Sequence, residues 1–318
     1  PTPGASTPTP RLLNRPNPNP CSCPPTGTNP RYPVTVEEWR EELAQRNEVF
    51  GRPVGYWCYV RPGTYRIGGW EKKKKGWGPS ADITLPGFWV AKYPITVQQY
   101  REFMETGGYT NERYWTPNGW KWKEDEGRTQ PDYWGDERFR GDDQPVIGVA
   151  WYEAAAFAVW LNTQLADALL SGSAIRLPTE AEWEVAAAYD AAGQRRTYPW
   201  GEAPEPTGTL ADFDDGRKPD HPAPVSERPA GATACGAQEM VGSVWEWTSS
   251  SHKAYPEGSG ILAKDFSSES WDTPVRGGSW WGDKTNVRCS SRSWNLPVNW
   301  YNNWGFRLFL SSNVRSDF

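Results

Sequence analysis

The sequence predicts an α+β fold, with helices in the first part of the chain and short strands joined by long loops after them. Helical patterns with recognisable starts end near Tyr189, and from Pro199 onward the chain is rich in Gly, Ser and Trp and is typical of turns and short strands. The 30 prolines and 31 glycines indicate many ordered turns. The 21 tryptophans and 14 tyrosines are too many for a disordered chain, so they predict an aromatic core.

The N-terminal part of the chain divides into two segments. Residues 1–32 are dominated by Pro, Thr, Asn and Gly, which bury too little apolar surface to offset the entropy of ordering, so we predict a tail that is disordered or draped on the surface. Residues 33–80 form an extension with one helix, because Thr35 stands at an N-cap position and Glu38 at the capping-box position of a helical pattern that runs to about Phe50. We expect this extension to pack on the main domain or to mediate self-association.

The main domain is predicted to span residues 81–318 and to contain three helices between short β-like runs. The helical patterns cover residues 96–105, 150–170 and 179–189. Thr96 and Thr179 each place a hydroxyl at the N-cap position, with an amide or a carboxylate in the first turn to complement the helix dipole.

Charge and hydropathy limit the classes of partner. A net charge of -5 provides no field that would gather phosphates, and the basic run at 72–75 is short and flanked by Trp70 and Trp77. We interpret that run as a solvated loop and predict no nucleic-acid partner. No apolar run approaches the roughly 18 residues that a membrane-spanning helix needs, so we predict no membrane span. The compartment stays open, since the bacterial cytoplasm and the cell surface are both compatible with this composition.

The cysteines and histidines point to no standard metal or catalytic grouping. Five cysteines without a CxxC pair indicate neither a disulfide framework nor a zinc site, and we interpret them as free thiols. The two histidines, His221 and His252, exclude a site built from three histidines, and a His-based triad would have to use one of them. The cysteines are Cys21, Cys23, Cys58, Cys235 and Cys289.

Five separated motifs occur in a fixed order along the main domain. They are FWVAKYPIT at 88–96, QPV followed by VAWYEA within 144–154, RLPTEAEWE at 176–184, MVGSVWEW at 240–247, and RGGSW through GFR at 276–307. Together they resemble the formylglycine-generating-enzyme, or sulfatase-modifying-factor, domain over about residues 80–312. The resemblance implies a variant of the C-type lectin fold, with short twisted antiparallel sheets, flanking helices and long loops.

The resemblance also implies where catalytic thiols would stand, and this chain lacks them. Enzymes of that family carry a pair of cysteines in the last motif, but Gly282 occupies the first position and nothing replaces the second. Cys289 aligns with a cysteine outside the pair. Because copper(I) binding and thiol oxidation both need thiolates, we expect neither the parent activity nor copper. Related iron-dependent sulfoxide synthases need histidines that this chain lacks, so iron is not expected either.

A structural calcium site is a further implication of the resemblance. The segment 239–246 lies where family members hold Ca²⁺ through two side chains and two backbone carbonyls. Glu239 and Glu246 would supply carboxylates and Gly242 and Val244 would supply carbonyl oxygens, which are the hard ligands that calcium prefers. Glu239 departs from the usual Asn but keeps an oxygen donor. The alternative is a pair of solvent-facing or salt-bridged glutamates.

The segment between the two ends of the last motif has the composition of an adaptable binding surface. Small polar residues beside aromatics supply hydrogen bonds and rigid contact area, as in paratopes. The segment also resembles the variable region of diversity-generating retroelement proteins, which implies that Trp280, Trp294, Trp300 and Trp304 are scaffold. The positions that the resemblance implies to be variable and ligand-binding are Gly282, Asp283, Thr285, Val287, Ser290, Ser293, Asn295, Leu296, Val298, Asn299, Tyr301, Asn302 and Asn303.

We therefore predict first a ligand-binding, receptor-like variable protein that recognises a protein or cell-surface ligand and is not an enzyme. The alternative is an oxidase or accessory protein of the formylglycine-generating type that lacks the usual cysteine pair. Replacing Cys289 by Ser discriminates the two, because only the alternative could retain a thiol-dependent activity for that change to abolish.

Overall fold

The protein is described here by a computed structural model that covers residues 32–70 and 79–311. Within these residues, five α-helices and ten short strands follow one another along the chain. The helices are α1 (Val36–Gln45), α2 (Val97–Glu105), α3 (Pro117–Asp125), α4 (Trp151–Gln164) and α5 (Glu180–Ala188). The strands are β1 (Trp57–Val60), β2 (Gly63–Gly68), β3 (Ser80–Leu85), β4 (Phe88–Ala91), β5 (Ala174–Arg176), β6 (Trp245–Trp247), β7 (Thr273–Arg276), β8 (Arg292–Asn295), β9 (Trp304–Gly305) and β10 (Phe309–Ser311).

Four of the helices begin at threonine N-caps, and the sequence predicts three of them, those of α1, α2 and α5. In α1 the Thr35 hydroxyl accepts a hydrogen bond from the backbone N–H of Glu38, and the Glu38 carboxylate accepts one from the backbone N–H of Thr35 at 3.0 Å. Each exchange satisfies two of the backbone donors that a helix start leaves without a partner. The same reciprocal pair forms at Thr96 with Gln99 in α2, and at Thr179 with Glu182 in α5.

Two four-stranded sheets organise the domain. The first has the order β1-β4-β10-β5 and is antiparallel, so the last strand lies between β4 and β5. The second has the order β8-β7-β6-β9, in which β6 and β9 run parallel and the other pairs run antiparallel. A separate hairpin joins β2 to β3. Strand β8 therefore lies at an open sheet edge.

Aromatic side chains fill the core. Tyr100 of α2 stacks on Phe157 of α4 with ring centroids 5.7 Å apart, and Phe306 meets Phe157 edge-on at 5.5 Å. Trp39 of α1 is fully buried and contacts Tyr56 edge-on at 5.3 Å, which joins the N-terminal extension to the same core. Such offset and edge-to-face pairs add to the burial of apolar area.

The architecture confirms the α+β prediction, and it contains elements that the sequence did not reveal. The extension at 33–80 holds α1 but also β1 and β2, and the main domain holds α3. No helix of the described residues is long and apolar enough to cross a membrane. The predicted tail, the basic run at 72–75 and Cys21 with Cys23 lie outside the described residues.

Candidate functional site

The described thiols are buried and inert. Cys58, Cys235 and Cys289 are all free and at most 1% exposed. Burial raises the pKa of each thiol, and the Cys289 Sγ donates to the Ala187 carbonyl at 3.3 Å. Since nucleophilic attack and copper binding both need thiolate, none of the three is poised for that chemistry. Gly282 stands at the first position of the expected cysteine pair, and Val287, five residues later, is buried.

Glu246, one of the predicted calcium ligands, is engaged by protein donors. Its carboxylate accepts hydrogen bonds from Arg307 Nη2 at 2.8 Å and Nε at 3.0 Å, and from Trp183 Nε1 at 2.7 Å. Both Glu246 and Arg307 are fully buried. Because these donors already saturate its two oxygens, Glu246 does not fit the role of a direct metal ligand.

Glu239, the other predicted carboxylate ligand, lies in a different environment. It is buried in the left-handed region at φ 55, and neither of its carboxylate oxygens has a hydrogen-bond partner among the described residues. The Arg228 Nη1 atom lies 4.0 Å away, and burial raises the pKa of Glu239 well above its usual range. Gln238 Oε1 and Ser243 Oγ are likewise buried without a partner there. Orphaned oxygens of this kind fit a bound cation or a protonated acid.

A set of three or more His, Cys, Asp or Glu side chains that could hold a metal ion is not found in the described residues. His221, one of the two histidines, packs beside Gln144, whose Nε2 lies 3.1 Å from the His221 Nδ1. Among the acidic residues at 212–215, Asp214 forms a turn contact by accepting from the Gly216 backbone N–H at 2.8 Å, whereas Asp212 is buried and pairs with Arg228 at 3.1 Å.

Buried ion pairs fix the strands that carry the exposed aromatic residues. Arg276 at the end of β7 contacts Glu180 at 3.2 Å and Glu184 at 2.9 Å, and these three side chains on β7 and α5 are fully buried. Arg292 at the start of β8 donates from Nε to Glu180 at 2.7 Å. Helix α5 therefore holds the β7–β8 pair in place, including the outer face of β8.

Trp294 on β8 and the His252 ring form a partly exposed aromatic surface, which we call the Trp294 surface. Trp294 is 42% exposed, and the His252 ring stacks on it with centroids 3.8 Å apart. Burial, with the nearby Arg292 charge, lowers the pKa of His252 to about 4. The imidazole is therefore neutral at pH 7 and presents one donor and one acceptor nitrogen.

Asn295 is the next residue of β8 and lies on the opposite face of the strand from Trp294, because successive side chains of a strand alternate between faces. Asn295 Nδ2 lies 3.5 Å from the Tyr301 hydroxyl, and Asn299 Nδ2 donates to Asn295 Oδ1 at 2.7 Å. Asn299 in turn lines a cavity of about 410 Å³ beside α3.

The other predicted contact positions divide between surface and interior. Asp283 and Thr285 are exposed and hydrogen bond to each other, and Val298 lines the cavity. Val287 and Ser290 are buried, so their side chains cannot meet a ligand and the prediction for these two is corrected. The remaining positions, Gly282, Ser293, Leu296, Asn302 and Asn303, are partly exposed.

The predicted scaffold tryptophans also divide. Trp280 and Trp304 are buried, as expected of scaffold, whereas Trp294 is exposed and Trp300 lines the cavity. His252 belongs to the site although sequence reasoning did not single it out. Its 42-residue separation from Trp294 leaves no local signal, and only the pairing of β7 with β8 brings the two together.

A family model described as "Sulfatase-modifying factor enzyme 1-like domain" matches residues 41–312. Among curated proteins, hercynine oxygenase of Mycolicibacterium thermoresistibile is 37% identical over 219 residues, which is 64% of this chain and 46% of that protein. Hercynine oxygenase of Mycobacterium tuberculosis is 38% identical over 216 residues, covering 64% of this chain and 47% of that protein. The chain thus spans about half the length of the curated relatives it matches.

Solved structures show the same fold. PvdO from Pseudomonas aeruginosa superposes with a TM-score of 0.59 at 19% identity, covering 80% of this chain and 94% of that one. Treponema denticola variable protein 1 superposes with a TM-score of 0.55 at 17% identity, with the same coverage of both chains. The predicted C-type lectin fold of the formylglycine-generating type is confirmed.

These relatives overturn the first functional prediction. The prediction of a receptor-like variable protein that is not an enzyme is wrong, because the sequence is 37% and 38% identical to enzymes over about two thirds of its length. The adaptable composition of the last segment suits a substrate-binding surface equally well, and composition alone could not separate the two. The comparisons favour the alternative, an oxidase-type protein without the cysteine pair.

Proposed function

Since this chain belongs to the sulfatase-modifying factor enzyme 1-like domain family, we propose that it is an oxygen-dependent oxidoreductase of the hercynine-oxygenase kind. It acts on a small imidazole- or amine-bearing molecule bound at the Trp294 surface. The observation that carries the proposal is the match to hercynine oxygenases over 219 residues. The burial of all three described thiols supports it, because thiol-dependent formylglycine chemistry would need one of them exposed.

The Trp294 surface suits a small heteroaromatic substrate. The exposed indole offers a flat face for stacking, and the neutral His252 imidazole held against it offers a donor and an acceptor. These residues bind and orient, and the rigid β7–β8 pair beneath them keeps their positions fixed.

The chain matches only about half of each relative, so the redox chemistry of those enzymes is proposed for this chain. Oxidation by O₂ needs a redox cofactor, which the assay below supplies in alternative forms. The expectation of neither copper nor iron followed from the missing cysteine pair and the missing histidines, and it stays a prediction that the same assay tests.

The test is oxygen uptake by the purified full chain with hercynine and a thiol reductant, run with Fe(II), with Cu(I) and without added metal. The proposal expects uptake that depends on hercynine and falls at least about fivefold in Trp294→Ala, since loss of a stacking partner removes about 1 to 3 kcal/mol. Trp281→Ala is the matched control, because that ring is 67% exposed and lies outside the Trp294 surface.

Two outcomes count against the proposal. The first is oxygen uptake that does not depend on hercynine, needs a Cys-containing peptide and is abolished by Cys289→Ser. That result would assign the chain to thiol chemistry. Equal losses in Trp294→Ala and Trp281→Ala would remove the Trp294 surface from the reaction.

A cation at the Glu239 turn is a second part of the proposal. The free carboxylate oxygens of Glu239 are hard donors of the kind that calcium prefers, and the family resemblance adds the carbonyls of Gly242 and Val244 as ligands. Glu246 contributes only by holding Arg307. Metal analysis after dialysis should find calcium that Glu239→Gln removes, together with a lower Tm in chelator. Metal-free protein with an unchanged Tm would refute this part and leave a protonated Glu239.

A further inference from the structure

Arg228 carries a buried positive charge beside the Glu239 turn. Its side chain is 9% exposed, and it lies immediately before the short 3₁₀-helix Pro229–Gly231. The Nε atom donates to the Gly208 carbonyl at 2.9 Å, and Nη2 lies 3.1 Å from Asp212 Oδ1. These two contacts anchor one side of the guanidinium, so its position does not depend on a bond to Glu239.

The other side of the guanidinium faces Glu239 without bonding to it. The Nη1 atom has no hydrogen-bond partner among the described residues, and it lies 4.0 Å from Glu239 Oε1 and 3.9 Å from Glu227 Oε2. The Glu227 side chain is 52% exposed, so water screens its charge, whereas the Glu239 side chain is 2% exposed. Charge-assisted hydrogen bonds are normally about 2.8 Å long, so Arg228 acts on Glu239 through its charge and leaves the carboxylate oxygens open.

Asp212 fixes the Arg228 charge against the same turn. Its carboxylate is buried, and its backbone carbonyl accepts a hydrogen bond from the Ser243 N–H at 2.8 Å. A Cβ atom at Gly242 would lie 2.3 Å from that carbonyl oxygen, which shows how closely the two segments approach. The ion pair of Asp212 and Arg228 is therefore a permanent neighbour of the Glu239 carboxylate.

The buried charges at the turn leave one net negative charge, because two carboxylates, Glu239 and Asp212, face one guanidinium. Glu246 adds none, since Arg307 neutralises it at 2.8 Å. The calcium affinity of an oxygen site depends on the charge count of its surroundings, and like charges repel most strongly where water is excluded. A cation bound by Glu239 thus meets the repulsion of Arg228.

We propose that Arg228 is a built-in opposing charge that weakens cation binding at Glu239 and so sets the affinity of that site. The inference rests on the cation proposed above for the Glu239 turn and adds the residue that limits its affinity. Loss of the guanidinium strengthens binding, whereas loss of the Asp212 charge weakens it, because Asp212 partly neutralises Arg228. An arginine with a purely structural role would give the opposite result, since its removal would loosen the turn.

The test is calorimetric titration of calcium chloride into the full chain, freed of metal by a chelator and dialysis, at fixed ionic strength. Arg228→Gln should bind calcium at least about tenfold more tightly than wild type, and Asp212→Asn at least about tenfold more weakly, since each changes one buried charge beside a divalent ion. Arg228→Lys keeps the charge and should stay close to wild type. Arg217→Gln is the matched control, because that side chain is 62% exposed and pairs with Asp215 in the same loop.

Thermal unfolding without calcium establishes which variants are folded. Arg228→Gln leaves Asp212 buried without its cationic partner, so this variant is the one at risk of unfolding. Asp212→Asn keeps the size of the side chain and removes only its charge, and its predicted loss of affinity tests the inference independently.

The inference is overturned if folded Arg228→Gln binds calcium no more tightly than wild type, if Asp212→Asn binds it as tightly as wild type, or if Arg228→Lys or Arg217→Gln strengthens binding as much as Arg228→Gln does. Calcium binding by Arg228→Gln with none by wild type would support the inference and refute the calcium site of the wild-type chain. Binding by neither protein would refute both. Because no turnover is measured, the oxygen-uptake test is unaffected by any of these results.

Discussion

Replacing Arg307 by Met should destabilise the fold by about 3 to 5 kcal/mol, the usual cost of breaking a buried ion pair. Arg307 and Glu246 are both fully buried, with Nη2 and Oε1 2.8 Å apart. Arg307 also donates to the carbonyls of Ala91 at 2.8 Å and Gln238 at 2.7 Å. The variant leaves a buried carboxylate with Trp183 as its remaining donor and leaves two carbonyls without that partner.

The assay is urea unfolding followed by tryptophan fluorescence, with Arg40→Met as the matched control. Arg40 pairs with Asp167 at 2.6 Å on the surface, where the aspartate side chain is 71% exposed, so its loss should cost no more than about 1 kcal/mol. Replacing both Arg307 and Glu246 by Met should recover much of the loss, because two apolar side chains bury no unpaired charge. A loss below about 1 kcal/mol in Arg307→Met would refute this reasoning. So would a chelator effect on Tm that Glu246→Gln abolishes, since Glu246 would then be a metal ligand.

Three further predictions rest on other contacts. The pKa of His252 is lowered to about 4, so the folded state excludes a proton that the unfolded state binds below its ordinary value near 6.5. The stability from this group is therefore present above that ordinary value and is lost as pH falls towards 4. The loss in the free energy of unfolding is on the order of 1 kcal/mol, after discounting for solvent screening at a partly exposed ring. It is measured as the difference between wild type and His252→Phe in the pH dependence of unfolding. Cys289→Ser should leave oxygen uptake unchanged, because the hydroxyl can donate to the Ala187 carbonyl as the thiol does, and a lost activity would contradict the assignment of Cys289 to the interior. Arg276→Met should lower Tm and also weaken substrate binding, because Arg276 holds α5 against β7 and so supports the Trp294 surface; a lowered Tm with unchanged KM would separate stability from the site.

Helix starts could be predicted from the sequence because their causes are local. Thr35 and Thr96 cap helices through residues three positions further on, so a short window contains the whole interaction. Helix α3 also begins at a threonine, Thr116, but its mixture of Trp, Lys and acidic residues gives no clear apolar stripe, and it was not predicted. Strand β1 was not predicted, because its strand conformation depends on pairing with β4, which lies further along the chain.

The site was harder to predict because its contacts join distant parts of the chain. Glu246 looked like a metal ligand until Arg307, 61 residues later, was found to occupy its oxygens. Trp294 was interpreted as scaffold from the resemblance to variable regions, and His252 gave no signal that it stacks there. Motif order was enough to predict the family fold, whereas the roles of individual side chains depended on such long-range pairs.

The most direct test of the proposed function is the fate of oxygen atoms. The full chain is incubated with hercynine, a thiol and Fe(II) under ¹⁸O₂, and the products are analysed by mass spectrometry. The account predicts a hercynine-derived product that carries ¹⁸O in the wild type and in Trp281→Ala, and that is strongly reduced in Trp294→Ala. Absence of labelled product with Fe(II) and with Cu(I), from protein shown to be folded by its thermal unfolding, would contradict it.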